Sequence, residues 1–134
     1  MKSLLIFSML ATGACSVGTA TEPMRDARAE SRLGALLEGK VASGTMACIN
    51  QRDADDQRII DDRTIVYRVG RAKLYRNDIP GGCPRLNNRS TLIRRTTSPN
   101  ICRGEIFEVR DSGTGMSYGS CSFGDFTEYR AAGR

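Results

Sequence analysis

Four cysteines are the residues of this chain best suited to chemistry: Cys48, Cys83, Cys102 and Cys121. Thiolates act as nucleophiles or bind zinc, but none of the four stands in the C-x-x-C spacing typical of zinc sites. The sequence contains no histidine, so the commonest general base is missing and the usual catalytic triads cannot be assembled. We therefore predict a protein that is not an enzyme and that binds no metal or cofactor.

We expect these cysteines to form two disulfide bonds. Four cysteines allow three pairings, and the sequence alone leaves the choice open. We favour Cys83 with Cys102, which would join the two ends of a predicted strand region over 90–96. Cys48 would then pair with Cys121 and tie the start of the domain to its end.

An acidic segment, DADDQRIIDD from Asp53 to Asp62, begins like a calcium-binding loop. Arg58 stands where such a loop needs glycine, and Thr64 stands where it needs glutamate. We therefore interpret the segment as an acidic turn before a strand. Two carboxylates could also hydrolyse glycosides, but no feature of the sequence places a pair of them across a sugar-sized cleft.

Residues 1–14 have the layout of a signal peptide, with a positive start, a short apolar core and small residues at the end. Thr12-Gly13-Ala14-Cys15 resembles a bacterial lipobox, which implies lipidation of Cys15 and a membrane anchor on the periplasmic side of the cell envelope. Ser16 in place of aspartate implies the outer membrane. The alternative is cleavage after Ala20, which releases a soluble periplasmic or secreted protein. Either route leaves an even set of cysteines in an oxidising compartment.

The elements that must position these residues fall into two parts. Residues 15–45 are predicted to form a tether with a helix over 23–39, which Gly39 is placed to end, and with a linker over 42–45. Residues 46–134 are predicted to form a disulfide-linked, β-rich domain.

The clearest element of that domain is RTIVYRVGRAKLYRN, Arg63 to Asn77. It predicts a hairpin with a two-residue turn at Gly70-Arg71. That turn would place one set of residues on the core face: Ile65, Tyr67, Val69, Ala72 and Leu74. Further strands are predicted over 58–60, 90–96 and 105–110, and residues 121–129 are predicted to form a last strand or an extended tail. Many short strands with frequent turns predict an all-β fold, a small antiparallel barrel or sandwich.

The chain is basic, with a formal net charge of +5 and 17 arginines against 3 lysines. The planar guanidinium suits phosphate, and an exported basic protein meets anionic lipids. The arginines are dispersed among acidic residues, a pattern typical of a solvated surface rather than of a nucleic-acid interface. We expect no nucleic-acid partner, and an envelope protein, a glycan or a lipid as the binding partner.

Several spaced landmarks resemble a family of small exported bacterial proteins classed as a domain of unknown function. Its pattern is a cysteine, a D-D-x-T strand, C-P-x-L, a third cysteine and a final cysteine followed by glycine. The segments that carry the resemblance are ACINQ, IIDDRTIVYR, KLYRNDIPGGCPRL, NICRGEIFEV and GSCSFGDF. The resemblance implies an exported or lipid-anchored β-rich module and transfers no catalytic residue. We accordingly expect a binding or structural module of the cell envelope.

A second resemblance is confined to SGTGMSY, Ser112 to Tyr118. It is similar to the S-G-x-G-x-x-Y loop of membrane-bound inhibitors of C-type lysozymes, which implies an inhibitory loop containing Ser112, Gly113, Gly115 and Tyr118. The tryptophan element that usually follows is missing, and a basic protein would approach a basic lysozyme against charge repulsion. We therefore predict a plain glycine turn and keep lysozyme inhibition as the alternative function.

Overall fold

A computed structural model describes residues 25–133 of the chain. Within that range the chain forms one α-helix, ten strands and a 3₁₀ turn over Gln51–Ala54. In chain order the elements are α1 (Ala27–Leu37), β1 (Lys40–Met46), β2 (Cys48–Asn50), β3 (Asp56–Ile59), β4 (Thr64–Val69), β5 (Lys73–Asp78), β6 (Ser90–Arg94), β7 (Asn100–Cys102), β8 (Ile106–Asp111), β9 (Ser117–Ser122) and β10 (Phe126–Ala131). The predicted signal peptide and Cys15 lie outside the described residues. No helix in this range is long and apolar enough to cross a membrane.

The strands form three antiparallel sheets around one main core. A five-stranded sheet has the order β1-β10-β5-β4-β3, a three-stranded sheet the order β6-β8-β9, and β2 pairs with β7. All three sheets contribute buried side chains to one cluster, in which Phe107 and Phe123 lie with ring centroids 4.5 Å apart. The predicted predominance of β structure is confirmed.

Helix α1 covers the other face of the five-stranded sheet. Ala29 and Leu33, four residues apart and therefore on one side of the helix, are buried against Ile60, Val66 and Leu74. The helix is shorter than the predicted range of 23–39. Residues 40–45, predicted to belong to the tether, instead form most of β1, which pairs with β10.

The hairpin of β4 and β5 exists, but its predicted turn was wrong. Val69 pairs with Lys73, so the loop has three residues, 70–72, and not two. Because side chains alternate along a strand, this one-residue difference moves the whole of β5 to the opposite face. Tyr75 therefore points to the main core, and Leu74 to the helix.

The predicted disulfide pairing was also wrong. The structure contains Cys48–Cys102 and Cys83–Cys121. Cys48 and Cys102 lie directly opposite each other on β2 and β7, and this strand pairing brings their Cα atoms within 4.0 Å. Cys83 follows β5 and reaches Cys121 on β9, so the second bridge joins the five-stranded sheet to the three-stranded one.

The remaining strand predictions agree with the structure to within a few residues, except at the end of the chain. Strands predicted over 58–60, 90–96 and 105–110 correspond to β3, β6 and β8. The last strand or extended tail predicted over 121–129 is divided into β9 and β10 by residues 123–125. Strands β2 and β7 were not predicted, because three residues carry too little pattern.

Candidate functional site

The loop between β8 and β9 contains the residues of the S-G-x-G-x-x-Y motif. Asp111 organises it, because its Oδ1 accepts hydrogen bonds from the backbone N–H groups of Gly113 (2.9 Å) and Thr114 (2.8 Å). These bonds, first that from Thr114, lower the pKa of the Asp111 carboxyl. Asp111 begins the predicted glycine turn, and an aspartate two residues before a glycine is a usual signal for this kind of turn.

The four predicted loop residues do not form one surface. Ser112, Gly113 and Gly115 are exposed, whereas Tyr118 is partly buried and packs against the main core. The Tyr118 hydroxyl lies 3.5 Å from Asp111 Oδ2, and the guanidinium carbon of Arg85 lies 4.4 Å from its ring centroid. The serine and the glycines are therefore available to a partner, while the tyrosine ring packs at the base of the loop and stabilises it.

Two carboxylates, Glu105 and Glu108, line an open hollow of about 620 Å³ on the outer face of the three-stranded sheet. Glu108 accepts hydrogen bonds from Arg110 and Arg95. Hydrogen bonds from Arg110, then from Ser117 and Arg95, lower its pKa to about 2. Glu105 lies 2.7 Å from the Nε atom of Arg94. Because a general acid must be protonated near neutral pH, Glu108 is unsuited to the acid step of glycoside hydrolysis.

The acidic segment Asp53 to Asp62 does not converge on one point. Asp56 forms ion pairs with Arg58 (2.8 Å) and Arg68 (3.5 Å), and Asp61 forms one with Arg25 (2.6 Å). Across residues 25–133 no group of three or more acidic residues, cysteines or histidines is arranged to hold a metal ion.

The D-D-x-T landmark forms a tight connection between β3 and β4. Asp61 Oδ1 accepts hydrogen bonds from the backbone N–H groups of Arg63 and Thr64, each 2.9 Å long. The buried Thr64 hydroxyl donates to Asp78 at the end of β5, 2.9 Å away. These contacts give the landmark a structural role.

The C-P-x-L and cysteine-glycine landmarks also stabilise the fold. The backbone N–H of Cys83 donates to the Asp62 carbonyl (2.6 Å), and that of Leu86 donates to the Cys83 carbonyl (3.1 Å). Asn77 is fully buried and forms a reciprocal pair with Gly124, donating to its carbonyl (2.8 Å) and accepting from its N–H (3.1 Å). The residues of these landmarks therefore stabilise the fold of the domain.

Fold and bridges together define a mostly β, doubly disulfide-bonded domain with a helix packed on its larger sheet. The chain matches no family model, no curated protein and no solved structure.

Proposed function

We propose that this protein is an exported module of the cell envelope, anchored through a lipid on Cys15, that acts by binding or as a structural element rather than by catalysis. The observation that carries the proposal is the pairing of all four cysteines of the described chain. Disulfides of this kind form and persist in oxidising compartments such as the bacterial periplasm. The signal-peptide pattern before Cys15 and the resemblance to a family of small exported proteins support the same location.

The outer membrane, facing the periplasm, is the location that the lipobox resemblance implies, and a soluble periplasmic or secreted protein is the alternative. The partner is an envelope protein, a glycan or a lipid. Of the two predicted architectures we favour the sandwich, because the five-stranded sheet and the two smaller sheets pack their inner faces into one core.

We expect mass spectrometry of the mature protein to show a diacylglycerol group on Cys15. Cys15→Ser removes the acceptor thiol, so this variant is expected to leave the membrane fraction while keeping both disulfides, because Cys15 has no part in them. Fractionation followed by non-reducing peptide mapping measures both effects. A soluble, unmodified form of the unmutated protein that begins at Thr21 would contradict the anchor and favour cleavage after Ala20.

Lysozyme inhibition remains the second candidate, and the exposure of Ser112, Gly113 and Gly115 on one braced loop favours it. We nevertheless expect the loop to be only a turn. The purified protein should then leave a C-type lysozyme uninhibited. Gly115→Val should destabilise the fold by about 1 to 2 kcal/mol, because Gly115 has φ +73°, a left-handed conformation that costs a side chain of L chirality this much.

The lysozyme assay and a denaturant titration separate the two roles of the loop. Ser112→Ala is the matched variant, because Ser112 is exposed and a structural turn loses little without its hydroxyl. Inhibition by the unmutated protein that disappears in Ser112→Ala, with unchanged stability, would establish an inhibitory loop and overturn our preference.

A further inference from the structure

The Cys48–Cys102 bridge lies on the outer face of the small sheet formed by β2 and β7. The next residue of β2, Ile49, and the preceding residue of β7, Ile101, are both buried in the main core. Because successive side chains of a strand point to opposite faces, both cysteines point away from that core. Cys48 is exposed and Cys102 is partly exposed. The bridge is therefore open to a partner in solution.

The outer face beside the bridge is also accessible to a second protein. Asn50 and Asn100 lie two residues from the cysteines along β2 and β7 and directly opposite each other, so they share that face with the bridge. Both asparagines are exposed. On this side the bridge is thus bordered by short polar side chains, which a protein surface can approach.

Backbone hydrogen bonds hold β2 and β7 together at both ends without the bridge. Beside the bridge, the N–H of Arg103 donates to the Ala47 carbonyl, 2.7 Å away. At the other end, the N–H of Gln51 donates to the Pro99 carbonyl, 2.8 Å away. Opening of the bridge would leave these bonds and the two buried isoleucines in place. The two thiols would therefore remain opposite each other, and the disulfide could form again.

The Cys83–Cys121 bridge has neither property. Cys83 is buried in the main core, and Cys121 packs against that core. Cys83 lies in the loop between β5 and β6, outside the strands, and Cys121 lies on β9. The structure therefore separates an accessible bridge between paired strands from a buried bridge that joins two sheets.

Exposed disulfides are more oxidising than buried structural ones and exchange more readily with other thiols. A thiolate of a dithiol would attack the Sγ atom of Cys48 and form a mixed disulfide. The S–S bond would break with release of the Cys102 thiolate, which takes up a proton. The second thiol of the dithiol would then displace Cys48 from the mixed disulfide. The dithiol leaves as a disulfide, and the two cysteines together gain two electrons and two protons.

We propose that Cys48–Cys102 is a site of reversible thiol–disulfide exchange with a protein dithiol, whereas Cys83–Cys121 keeps the domain folded during the exchange. The partner is a dithiol of the oxidoreductase class, because the bridge lies on an open surface that a second protein can reach. This site goes beyond the proposed function, and it requires neither the lipid anchor nor the ligand of the module.

The first test compares the reactivity of the two bridges in the purified, oxidised Cys15→Ser protein, in which no thiol at residue 15 can take part. Dithiothreitol is added without denaturant, samples are quenched with N-ethylmaleimide, and peptide mapping gives the rate of labelling at each cysteine. Cys48 and Cys102 should be labelled at least about tenfold faster than Cys83 and Cys121. Equal rates at all four cysteines, or faster labelling of Cys83 and Cys121, would overturn the proposal.

The second test concerns reversibility. Protein reduced only at Cys48 and Cys102 should keep the circular dichroism spectrum of the oxidised protein. Addition of oxidised glutathione should then restore Cys48–Cys102 and no other pairing, because the paired strands hold the two thiols opposite each other. Loss of the folded spectrum, or recovery of a mixture of pairings, would contradict a reversible site.

The protein dithiol is tested with thioredoxin whose second active-site cysteine is replaced by serine, because such a variant cannot resolve the mixed disulfide that it forms. We expect this mixed disulfide on Cys48. Cys48→Ala/Cys102→Ala is the matched control, which retains Cys83–Cys121 alone and should form at least about tenfold less of the adduct. Comparable adducts in the two proteins, or none in either, would contradict the proposal, whereas membrane fractionation tests the anchor independently.

Discussion

Gly124→Ala is expected to prevent the domain from reaching its native structure. A methyl group on Gly124 would lie 2.0 Å from the carbonyl oxygen of Asp78 and 3.1 Å from the ring of Pro80. The Asp78 oxygen belongs to the backbone, and cannot rotate away as a side chain could. Gly124 also exchanges two hydrogen bonds with the Asn77 side chain, so relief of the clash would break a buried polar pair. We expect destabilisation of about 3 kcal/mol or more, the upper end for overpacked cores.

Denaturant titration and the yield of soluble, oxidised protein measure this effect. Gly34→Ala is the matched control, because a methyl group there meets nothing within 4 Å and the residue lies on the exposed side of α1. Replacement of a helical glycine by alanine stabilises by about 0.5 to 1 kcal/mol. A folded Gly124→Ala protein as stable as the unmutated one would show that the connection between β9 and β10 does not approach β5 so closely.

Removal of the Cys83–Cys121 bridge is the second change with a large expected effect. The chain-entropy model assigns about 4 kcal/mol to loops of either 38 or 54 residues, so the lengths of the two loops do not distinguish the bridges. The surroundings of the two bridges do distinguish them. Cys83 is 1% exposed and packs in the main core, whereas Cys48 is exposed and its strand β2 already pairs with β7.

We therefore expect Cys83→Ala/Cys121→Ala to lose more free energy of unfolding than Cys48→Ala/Cys102→Ala, because it also leaves a cavity between two sheets. Comparison of the two double variants by guanidinium titration measures the difference. Non-reducing peptide mapping of the unmutated protein should recover both bridges and no free thiol among the four cysteines. A larger loss from the Cys48 and Cys102 variant would place the critical link in the small sheet instead.

The number of disulfide bonds could be predicted from the sequence, but the cysteines that pair with each other could not. An even cysteine count behind a predicted export signal indicates two bonds wherever the strands lie. Which cysteines pair depends on which strands become neighbours, and β2 and β7 are three-residue strands whose cysteines are 54 residues apart in sequence. Cys48 and Cys102 face each other only once those two strands have paired.

The hairpin shows how a small error in a turn becomes a large error in the core. The alternation of apolar and polar residues correctly identified β4 and β5. Two-residue and three-residue loops starting at Gly70, however, suit almost the same sequence. The extra residue exchanges Leu74 and Tyr75 between the two faces. Alternation alone could not detect this, because α1 covers the outer face and both faces of these strands contain buried residues.

The outward position of the Cys48–Cys102 bridge was not predicted for a similar reason. The face that a cysteine occupies depends on the strand to which it belongs, and three-residue strands such as β2 and β7 carry too little pattern to be recognised. The bridge points outward only because Ile49 and Ile101 of these strands pack in the main core. By contrast, the glycine turn predicted in SGTGMSY is present in the structure, because it is formed by local hydrogen bonds to Asp111.

The position of β10 has a consequence for the order in which the molecule assembles. The last strand lies between β1 and β5, so it supplies the neighbours of both strands in the larger sheet. A chain that emerges from its N-terminus can pair β3, β4 and β5 early, because these strands are adjacent in sequence. It cannot attach β1 until residues 126–131 have arrived, about 80 residues later than β1 itself. Formation of the complete sheet is therefore a late step that follows synthesis of almost the entire described chain, and long-range pairing of this kind is slow.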